Sequence, residues 1–341
     1  MSIKRARRYL QKKTYEASVL FDLPNHREFL KFLTGIDCFI DMENAVSEAI
    51  YKLDVDILAF GIPKTPENKA ELENDPNLYG TAATHWRNEE TTLSDVFSHD
   101  PLKLRPHLND TDDAIINMLL TEDMRCRKYC GCSALSPGGF FTTCVHYAAE
   151  DLNYEEFLCA CLLEPDRVSG LFDSYEALST RVLAAWRRCN IEMMVCHDDI
   201  ANSKSLTFSP KFIRQHILPR YKRLFTPFIE SEIPLFYMTD GNFIEVAKDI
   251  SDIGVDGFFV DRPSMDLSSL IKLCGEDKFY FTGPTPEIMT NGSEDKIKYE
   301  MDMLKEIAVN VPGLMYHLPG GWTQNMSLEN VKTYYKCLNR L

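Results

Sequence analysis

The sequence lacks several patterns that would place the protein in a definite class. No apolar stretch approaches the ~18 residues that a membrane-spanning helix requires, and the basic first thirteen residues are not followed by the apolar segment of a secretory signal. Positive charge is scarce, since 37 Lys and Arg stand against 51 Asp and Glu, for a net charge of −14. This balance argues against a nucleic-acid-binding protein and against docking on an anionic membrane.

Common cofactor and nucleophile motifs are also missing. The phosphate-binding patterns G-x-x-x-x-G-K-[ST] and G-x-G-x-x-G do not occur, and no nucleophile elbow is present. The chain has 11 cysteines, but Cys126, Cys130 and Cys132, with Cys144 later, do not have a standard zinc or iron–sulfur spacing. We interpret them as buried thiols, and the many cysteines without a signal predict a reducing cytoplasm, such as that of an anaerobe.

Five short apolar runs in the second half of the chain each stop at a polar cluster. The clusters are His197-Asp198-Asp199, Thr239-Asp240-Gly241-Asn242, Asp261-Arg262-Pro263, Thr282-Gly283-Pro284 and His317-Leu318-Pro319-Gly320-Gly321. Helix-like segments fill most of the intervals between the runs. This alternation predicts an α/β fold, a (β/α)8 TIM barrel in which the loops after the strands build one common site.

The first part of the chain is less regular. Residues 1–50 have helical apolar spacing and predict an N-terminal helical extension, whose basic first thirteen residues form a solvated arm. Residues 51–341 predict the catalytic barrel domain, with its first buried strand at residues 55–60. Residues 61–112 are polar and poorly periodic, and we interpret them as an excursion over the barrel mouth.

The cluster after the first of the five runs contains two candidate catalytic residues, His197 and Asp199. A histidine and a carboxylate at a strand end can hold a proton or a metal. Adjacent acids on an extended chain point in opposite directions, so one of Asp198 and Asp199 can face the barrel axis. The alternative is a loop anchor that hydrogen-bonds helix amides.

Two later clusters supply further candidates. Asp240 is a candidate catalytic acid, while Asn242 either contacts substrate or caps the following helix. His317 precedes Pro319-Gly320-Gly321, which allows a ligand to approach the backbone closely, and it is also a catalytic candidate. His197, Asp240 and His317 together would supply a three-ligand zinc site with an open position.

Aromatic and basic side chains near the same strand ends are candidates for substrate binding. Phe140, Phe141, Tyr237 and Tyr316 could wall a pocket for an aryl or quaternary-ammonium group. For each ring the alternative is ordinary barrel core. Arg262, which follows the third run, completes the predicted substrate-binding set of Asn242, Tyr237, Tyr316 and Arg262.

Four stretches follow one another in a characteristic order. They are Glu164-Pro165-Asp166-Arg167-Val168, then His197-Asp198-Asp199-Ile200 with Phe208-Ser209-Pro210, then Thr239-Asp240-Gly241-Asn242 with Gly254-Val255-Asp256, and last Thr282-Gly283-Pro284 with Pro319-Gly320-Gly321. In this order and spacing the chain resembles the uroporphyrinogen decarboxylase superfamily, which includes the cobalamin-dependent methyltransferases of anaerobes. The resemblance runs from about residue 115 to the end, and it implies a TIM barrel with N-terminal helices.

Two departures from the family pattern narrow the function that the resemblance implies. Zinc-dependent methyltransferases of the family have a His-x-Cys motif and a later Cys. At the corresponding positions this chain has Met238, Asp240 and about Gly321. The zinc–thiolate site that activates a substrate thiol is therefore missing. The arginine-rich N-terminal signature of the haem-pathway decarboxylases is absent as well, which disfavours tetrapyrrole decarboxylation.

The resemblance then implies an enzyme that moves a methyl group from a small methylated substrate, a methyl ether or a methylated amine, to a corrinoid (cobalamin) on a partner protein. A decarboxylase or lyase without corrinoid is one alternative. A non-catalytic barrel that binds a corrinoid or another ligand is a second. Analogy with the family alone suggests a homodimer.

Overall fold

A computed structural model describes residues 2–12, 19–59, 61–65, 92–103, 111–130, 133–139 and 143–341. Within these ranges, eight parallel strands form one curled sheet. The strands are Val19–Asp22 (β1), Ile57–Leu58 (β2), Gly138–Gly139 (β3), Met194–His197 (β4), Leu235–Met238 (β5), Gly257–Phe259 (β6), Phe279–Thr282 (β7) and Leu314–Tyr316 (β8).

The sheet curls so that its two edges meet. The strand order is β2-β1-β8-β7-β6-β5-β4-β3. Ile57 in β2 forms a parallel bridge with Leu135, which lies shortly before β3, and the amide of Leu58 donates to the carbonyl of Leu135 at 2.8 Å. The result is a TIM-like arrangement, in which all carboxyl ends of the strands lie at one end of the sheet.

Helices precede, separate and follow the strands along the chain. They are Ser2–Leu10 (α1), Arg27–Thr34 (α2), Cys38–Lys52 (α3), Leu93–Val96 (α4), Asp112–Cys130 (α5), Cys144–Asp151 (α6), Tyr154–Leu163 (α7), Pro165–Arg188 (α8), Pro210–Phe212 (α9), Leu218–Glu230 (α10), Ile244–Ile253 (α11), Leu267–Cys274 (α12), Pro286–Asn291 (α13), Glu294–Asn310 (α14) and Leu328–Cys337 (α15). A π-helical turn, Ile213–Ile217, joins α9 to α10, and Pro101–Lys103 forms a 3₁₀ turn. Among the described helices, none combines the length and apolar content that a membrane span needs.

The five predicted strands of the second half are confirmed, as β4 to β8. Their side chains are buried without alternation, because a parallel strand covered on both faces exposes neither. The apolar run alone therefore located these strands. The ring of Phe236 packs against the rings of Phe279 and Phe281, with centroids 5.5 and 5.9 Å away.

The predicted position of the first strand is wrong. β1 spans Val19–Asp22 and pairs with both β8 and β2, so residues 55–60 contain the second strand. The helical extension over residues 1–50 is not confirmed either, because a strand of the sheet interrupts it. A strand of four residues is too short to show a period, which is why the sequence pattern did not locate β1.

The basic N-terminal segment is not the solvated arm that the sequence predicts. Arg5 in α1 pairs with the buried Asp56 at 2.6 Å, and Arg7 pairs with Glu192 at 2.6 Å. The hydroxyl of Tyr9 donates to the carbonyl of Leu314 at 2.9 Å. Asp56 and Glu192 each precede a strand, and Leu314 begins one, so α1 covers the end of the sheet opposite the strands' carboxyl ends.

Several predictions fall on parts of the chain outside the described residues. They concern most of the excursion, at residues 66–91 and 104–110, and also Phe140, Phe141 and Cys132. Cys126 and Cys144 are described, and both are buried thiols outside any disulfide, as predicted.

Candidate active site

The end of β4 brings an imidazole and a carboxylate together. His197 is the last residue of β4, and its ring is almost fully buried. Its Nε2 lies 2.8 Å from Oδ1 of Asp199. The hydroxyl of Thr143, just before α6, donates to the carbonyl of His197 at 3.0 Å and ties the strand end to the neighbouring helix.

Asp198 lies between these two residues and points the other way. Its fully buried carboxylate accepts hydrogen bonds from the amides of Val145 at 3.3 Å and His146 at 2.5 Å, in the first turn of α6. The hydroxyl of Tyr221 in α10 also donates to it, at 2.8 Å. A negative charge is favourable at a helix N-terminus. Asp198 is therefore the acid that anchors the loop to helix amides, while Asp199 faces the site.

The loop after β5 places Asp240 beside Asp199. The register pairs His197 with Met238, so the residues that follow these two strands are neighbours. The amide of Asp240 donates to Oδ1 of Asp199 at 3.2 Å. The next residue, Gly241, has φ +82°, and a Cβ there would clash with the backbone of Asn202. Glycine is therefore needed for this close turn.

His197, Asp199 and Asp240 form a compact group of donor atoms. One nitrogen of His197 and one carboxylate oxygen from each aspartate all lie within 4.8 Å of one another. Their side chains form a gradient of exposure, from the buried His197 through the half-buried Asp199 to the exposed Asp240. One imidazole and two carboxylates are a donor set that suits zinc with an open position.

The charges in this group perturb one another. Desolvation by the surrounding protein, followed by repulsion from Asp199 and Asp261, raises the pKa of Asp240 to about 6. Its side chain nevertheless remains exposed to solvent at the mouth of the barrel. Burial opposes the ionisation of Asp199, but the imidazoles of His197 and His146 hold the pKa of Asp199 well below its usual range. One carboxyl thus stays ionised beside another that can carry a proton near neutral pH.

His146, in the first turn of α6, is a neighbour that the sequence interpretation missed. Its Nδ1 lies 3.6 Å from Oδ2 of Asp199, and its Nε2 lies 3.2 Å from Glu150. Burial works against the charged imidazolium, but these two carboxylates raise the pKa of His146 to about 9. The signal in the sequence that could have located its helix is Thr143, a residue type favoured at the N-cap, which occupies that position of α6.

His317 does not belong to this group. It follows β8, is fully buried, and its Nδ1 contacts the carbonyl of Phe21 at 3.0 Å. Its ring packs edge-on against Phe21, Phe259 and Phe281, with centroids 5.1 to 5.9 Å away. Burial lowers the pKa of His317 to about 4. The structure therefore brings Asp199, rather than His317, to His197 and Asp240.

The four predicted substrate-binding residues all have partners within the protein. The hydroxyl of Tyr237 donates to the carbonyl of Asp198 at 3.2 Å, and Tyr316 is buried in β8. Arg262 donates to the carbonyl of Gly283 at 3.1 Å and lies 3.5 Å from Glu300.

The side chain of Asn242 accepts from the amide of Ile244, the first residue of α11, at 3.2 Å, although Phe243 occupies the N-cap position of that helix. None of these four residues belongs to the compact donor group found among the described residues.

A cavity of about 350 Å³ lies beside the loop that follows Asp199. Phe208, Phe212 and Cys161 give it apolar walls, and Lys211 and His216 also line it. The amide of Thr207, another lining residue, donates to the carbonyl of Ile200 at 2.8 Å. The cavity shares no lining residue with the donor group, so it is a separate feature.

Comparisons with known proteins agree with this architecture. The chain resembles the solved structure of a methyltransferase from Methanosarcina mazei with a TM-score of 0.65 and 15% identity, over 99% of this chain and 98% of that one. It also resembles a putative vitamin-B12-independent methionine synthase from Listeria monocytogenes, at 15% identity, but that match covers 66% of this chain and 68% of the other with a TM-score of only 0.43. At 15% identity the first likeness shows the fold alone. No curated protein sequence matches the chain.

A family model decides the relationship. Residues 137–341 match the model of the family described as uroporphyrinogen decarboxylase (URO-D). The matched segment includes β3 to β8 and all three residues of the donor group. Because it covers more than half of the sequence, the chain belongs to the uroporphyrinogen decarboxylase family.

Proposed function

We propose that this chain is a corrinoid-dependent methyltransferase, which moves a methyl group from a small methylated substrate to a corrinoid on a partner protein. The substrate class is a methyl ether or a methylated amine. Family membership and the fold of a protein named a methyltransferase support the proposal. The observation that carries it is the group of His197, Asp199 and Asp240 at the carboxyl ends of β4 and β5, where barrel enzymes build their active sites.

The leaving atom of the substrate sets the chemical requirement. When the methyl group departs, the leaving atom keeps the electron pair of the broken bond. An ether oxygen or the nitrogen of an uncharged amine then needs a proton, whereas a quaternary nitrogen leaves as a neutral amine. The corrinoid, when bound, supplies the nucleophile that takes the methyl group. Asp240 is the most exposed residue of the group, and its raised pKa keeps part of its carboxyl protonated near neutral pH. It can therefore give that proton to the leaving oxygen or nitrogen.

A metal would meet the same requirement in another way. His197, Asp199 and Asp240 would hold zinc, because their donor atoms are close together and of the types that catalytic zinc takes. This set replaces the sequence-predicted set that contained His317. Zinc, when bound, supplies a Lewis acid that polarises the leaving atom. The metal content of the protein distinguishes this route from proton donation by Asp240.

A decarboxylase of the same family is the second candidate. The family description favours it, and the raised pKa of Asp240 suits protonation of the carbon that loses carbon dioxide. Such an enzyme needs no corrinoid. A binding barrel would hold its ligand without turnover of any kind.

A panel assay under anaerobic conditions tests the proposal. The protein is mixed with cob(I)alamin and, in turn, with methoxylated aromatic acids and with tertiary and quaternary methylamines. The absorbance of methylcobalamin and the release of carbon dioxide are recorded together. Methylcobalamin formed with at least one donor supports the proposal. Carbon dioxide released without corrinoid supports the decarboxylase, and no reaction with the whole panel, on free or protein-bound corrinoid, contradicts the methyltransferase. The homodimer and the cytoplasmic location stay predictions.

A further inference from the structure

We propose that His146 is a positioning residue that fixes the carboxylate of Asp199 for metal binding by the His197–Asp199–Asp240 group. The inference rests on the metal site of the proposed function. It assigns a role to a residue of α6 that lies outside that group.

The two carboxylate oxygens of Asp199 have different partners. Oδ1 lies 2.8 Å from Nε2 of His197 and accepts from the amide of Asp240 at 3.2 Å. Oδ2 lies 3.6 Å from Nδ1 of His146. His146 therefore contacts a different oxygen of the carboxylate from the one that His197 and Asp240 contact.

This division matters when a metal binds. A ring nitrogen that binds a metal carries no proton, so Nε2 of His197 cannot bind metal and donate to Asp199 at the same time. The contact between His146 and Oδ2 uses neither His197 nor the metal, and so it persists. Without it, the half-exposed side chain of Asp199 could rotate away from its productive orientation. Such outer contacts typically orient ligands and strengthen metal binding.

His146 is itself held firmly in place. Its amide donates to Asp198 at 2.5 Å, which fixes the first turn of α6 against the end of β4. Its Nε2 lies 3.2 Å from Glu150, one turn further along the same helix. The side chain is only 8% exposed. Both ring nitrogens thus face carboxylates, and the ring has little freedom to turn.

Zinc titration of the full chain, with a chromophoric chelator as competitor, tests the inference. His146→Ala should weaken zinc binding about 10- to 100-fold, the usual effect of losing such an outer contact. Two further variants separate position from mere packing. The amide nitrogen of Asn takes nearly the place of Nδ1, and that of Gln nearly the place of Nε2. His146→Asn should therefore restore most of the affinity, and His146→Gln should not.

His216→Asn is the matched control, because His216 is also a buried histidine but lies on the π-helical turn. Its zinc affinity should equal that of the wild type, and thermal unfolding should confirm that each variant folds. Equal affinity in wild type and His146→Ala, or rescue by Gln as good as by Asn, would overturn the inference. A wild type that binds no zinc would overturn it as well. Zinc binding that depends on His146, in a protein that transfers no methyl group, would leave it standing and contradict the proposed function alone.

Discussion

Nε2 of His197 and Oδ1 of Asp199 lie 2.8 Å apart, although only Asp198 separates the two residues in sequence. The alternation of an extended backbone explains this, because it sends Asp198 to the opposite side. There the carboxylate of Asp198 accepts hydrogen bonds from the hydroxyl of Tyr221 and from two amides of α6. Two adjacent acids thus have separate tasks, since one anchors a helix and the other faces the candidate site.

The hydrogen bond from Tyr221 to Asp198 should contribute to stability. Tyr221→Phe leaves a buried carboxylate short of a donor, which should lower the free energy of unfolding by about 1–3 kcal/mol. Tyr334→Phe is the matched control, because the hydroxyl of Tyr334 is also buried but has no hydrogen-bond partner among the described residues. Urea unfolding of both variants measures the difference. Equal losses in the two would contradict the anchoring role of Asp198.

Gly241 should resist substitution more strongly than another glycine with a similar backbone. Gly35 has φ +77° with nothing near its missing side chain, so Gly35→Ala should cost only the strain of this conformation, about 1–2 kcal/mol. Gly241→Ala has the same strain at φ +82° and also a clash with the backbone of Asn202. Its loss of stability should therefore be larger by at least about 1 kcal/mol. Equal melting temperatures for the two variants would show that the loop moves aside freely.

His317 should make the protein less stable as the pH falls. Its pKa is about 4 in the folded chain against an ordinary 6.5, so the unfolded chain binds more protons between these values. Its stabilising contribution is full above pH 6.5, and about 3 kcal/mol of it is lost as the pH falls through 4. His317→Asn keeps a donor for the carbonyl of Phe21 but does not titrate.

This variant should be less stable than the wild type at pH 8, because it loses ring packing. The gap should narrow between pH 6.5 and 4, as measured by denaturant unfolding at each pH. A constant or widening gap would mean that burial does not hold the ring neutral.

Metal analysis of protein purified without chelators should separate the two possible ligand sets. The proposed metal site predicts about one zinc per chain in the wild type and in His317→Ala, and none in His197→Ala. The set predicted from sequence, with His317 as a ligand, requires loss in both variants. No metal in any of the three would leave proton donation by Asp240 as the route, and zinc retained by His197→Ala would rule out this site.

The second half of the fold could be predicted from the sequence, because a buried parallel strand leaves an apolar run and the loop after it leaves a polar cluster. The first strand could not, since Val19–Asp22 is too short to show a period. The predicted role of the basic N-terminal segment, a solvated arm, was wrong for a different reason. Its partners Asp56 and Glu192 are distant in sequence, and no local pattern shows such ion pairs.

The candidate site was predicted in part. Strand ends located His197, Asp199 and Asp240, because the carboxyl ends of all strands lie at one end of a barrel. The sequence could not show which of Asp199 and His317 completes a group with the other two, since that depends on side-chain direction. His146 escaped notice because it lies in a helix rather than at a strand end.

The role of Asp240 as proton donor is tested by the rate of methyl transfer in Asp240→Asn, measured beside its binding of the methyl donor. Asn has nearly the shape of Asp but carries no acidic proton and is a poor zinc ligand. Asp252→Asn, an exposed acid of α11, serves as the control. We expect a fall in rate of about 100-fold or more for Asp240→Asn, with donor binding little changed and with the control at the wild-type rate. Wild-type turnover in Asp240→Asn, or a loss of binding as large as the loss of rate, would contradict the catalytic role of Asp240.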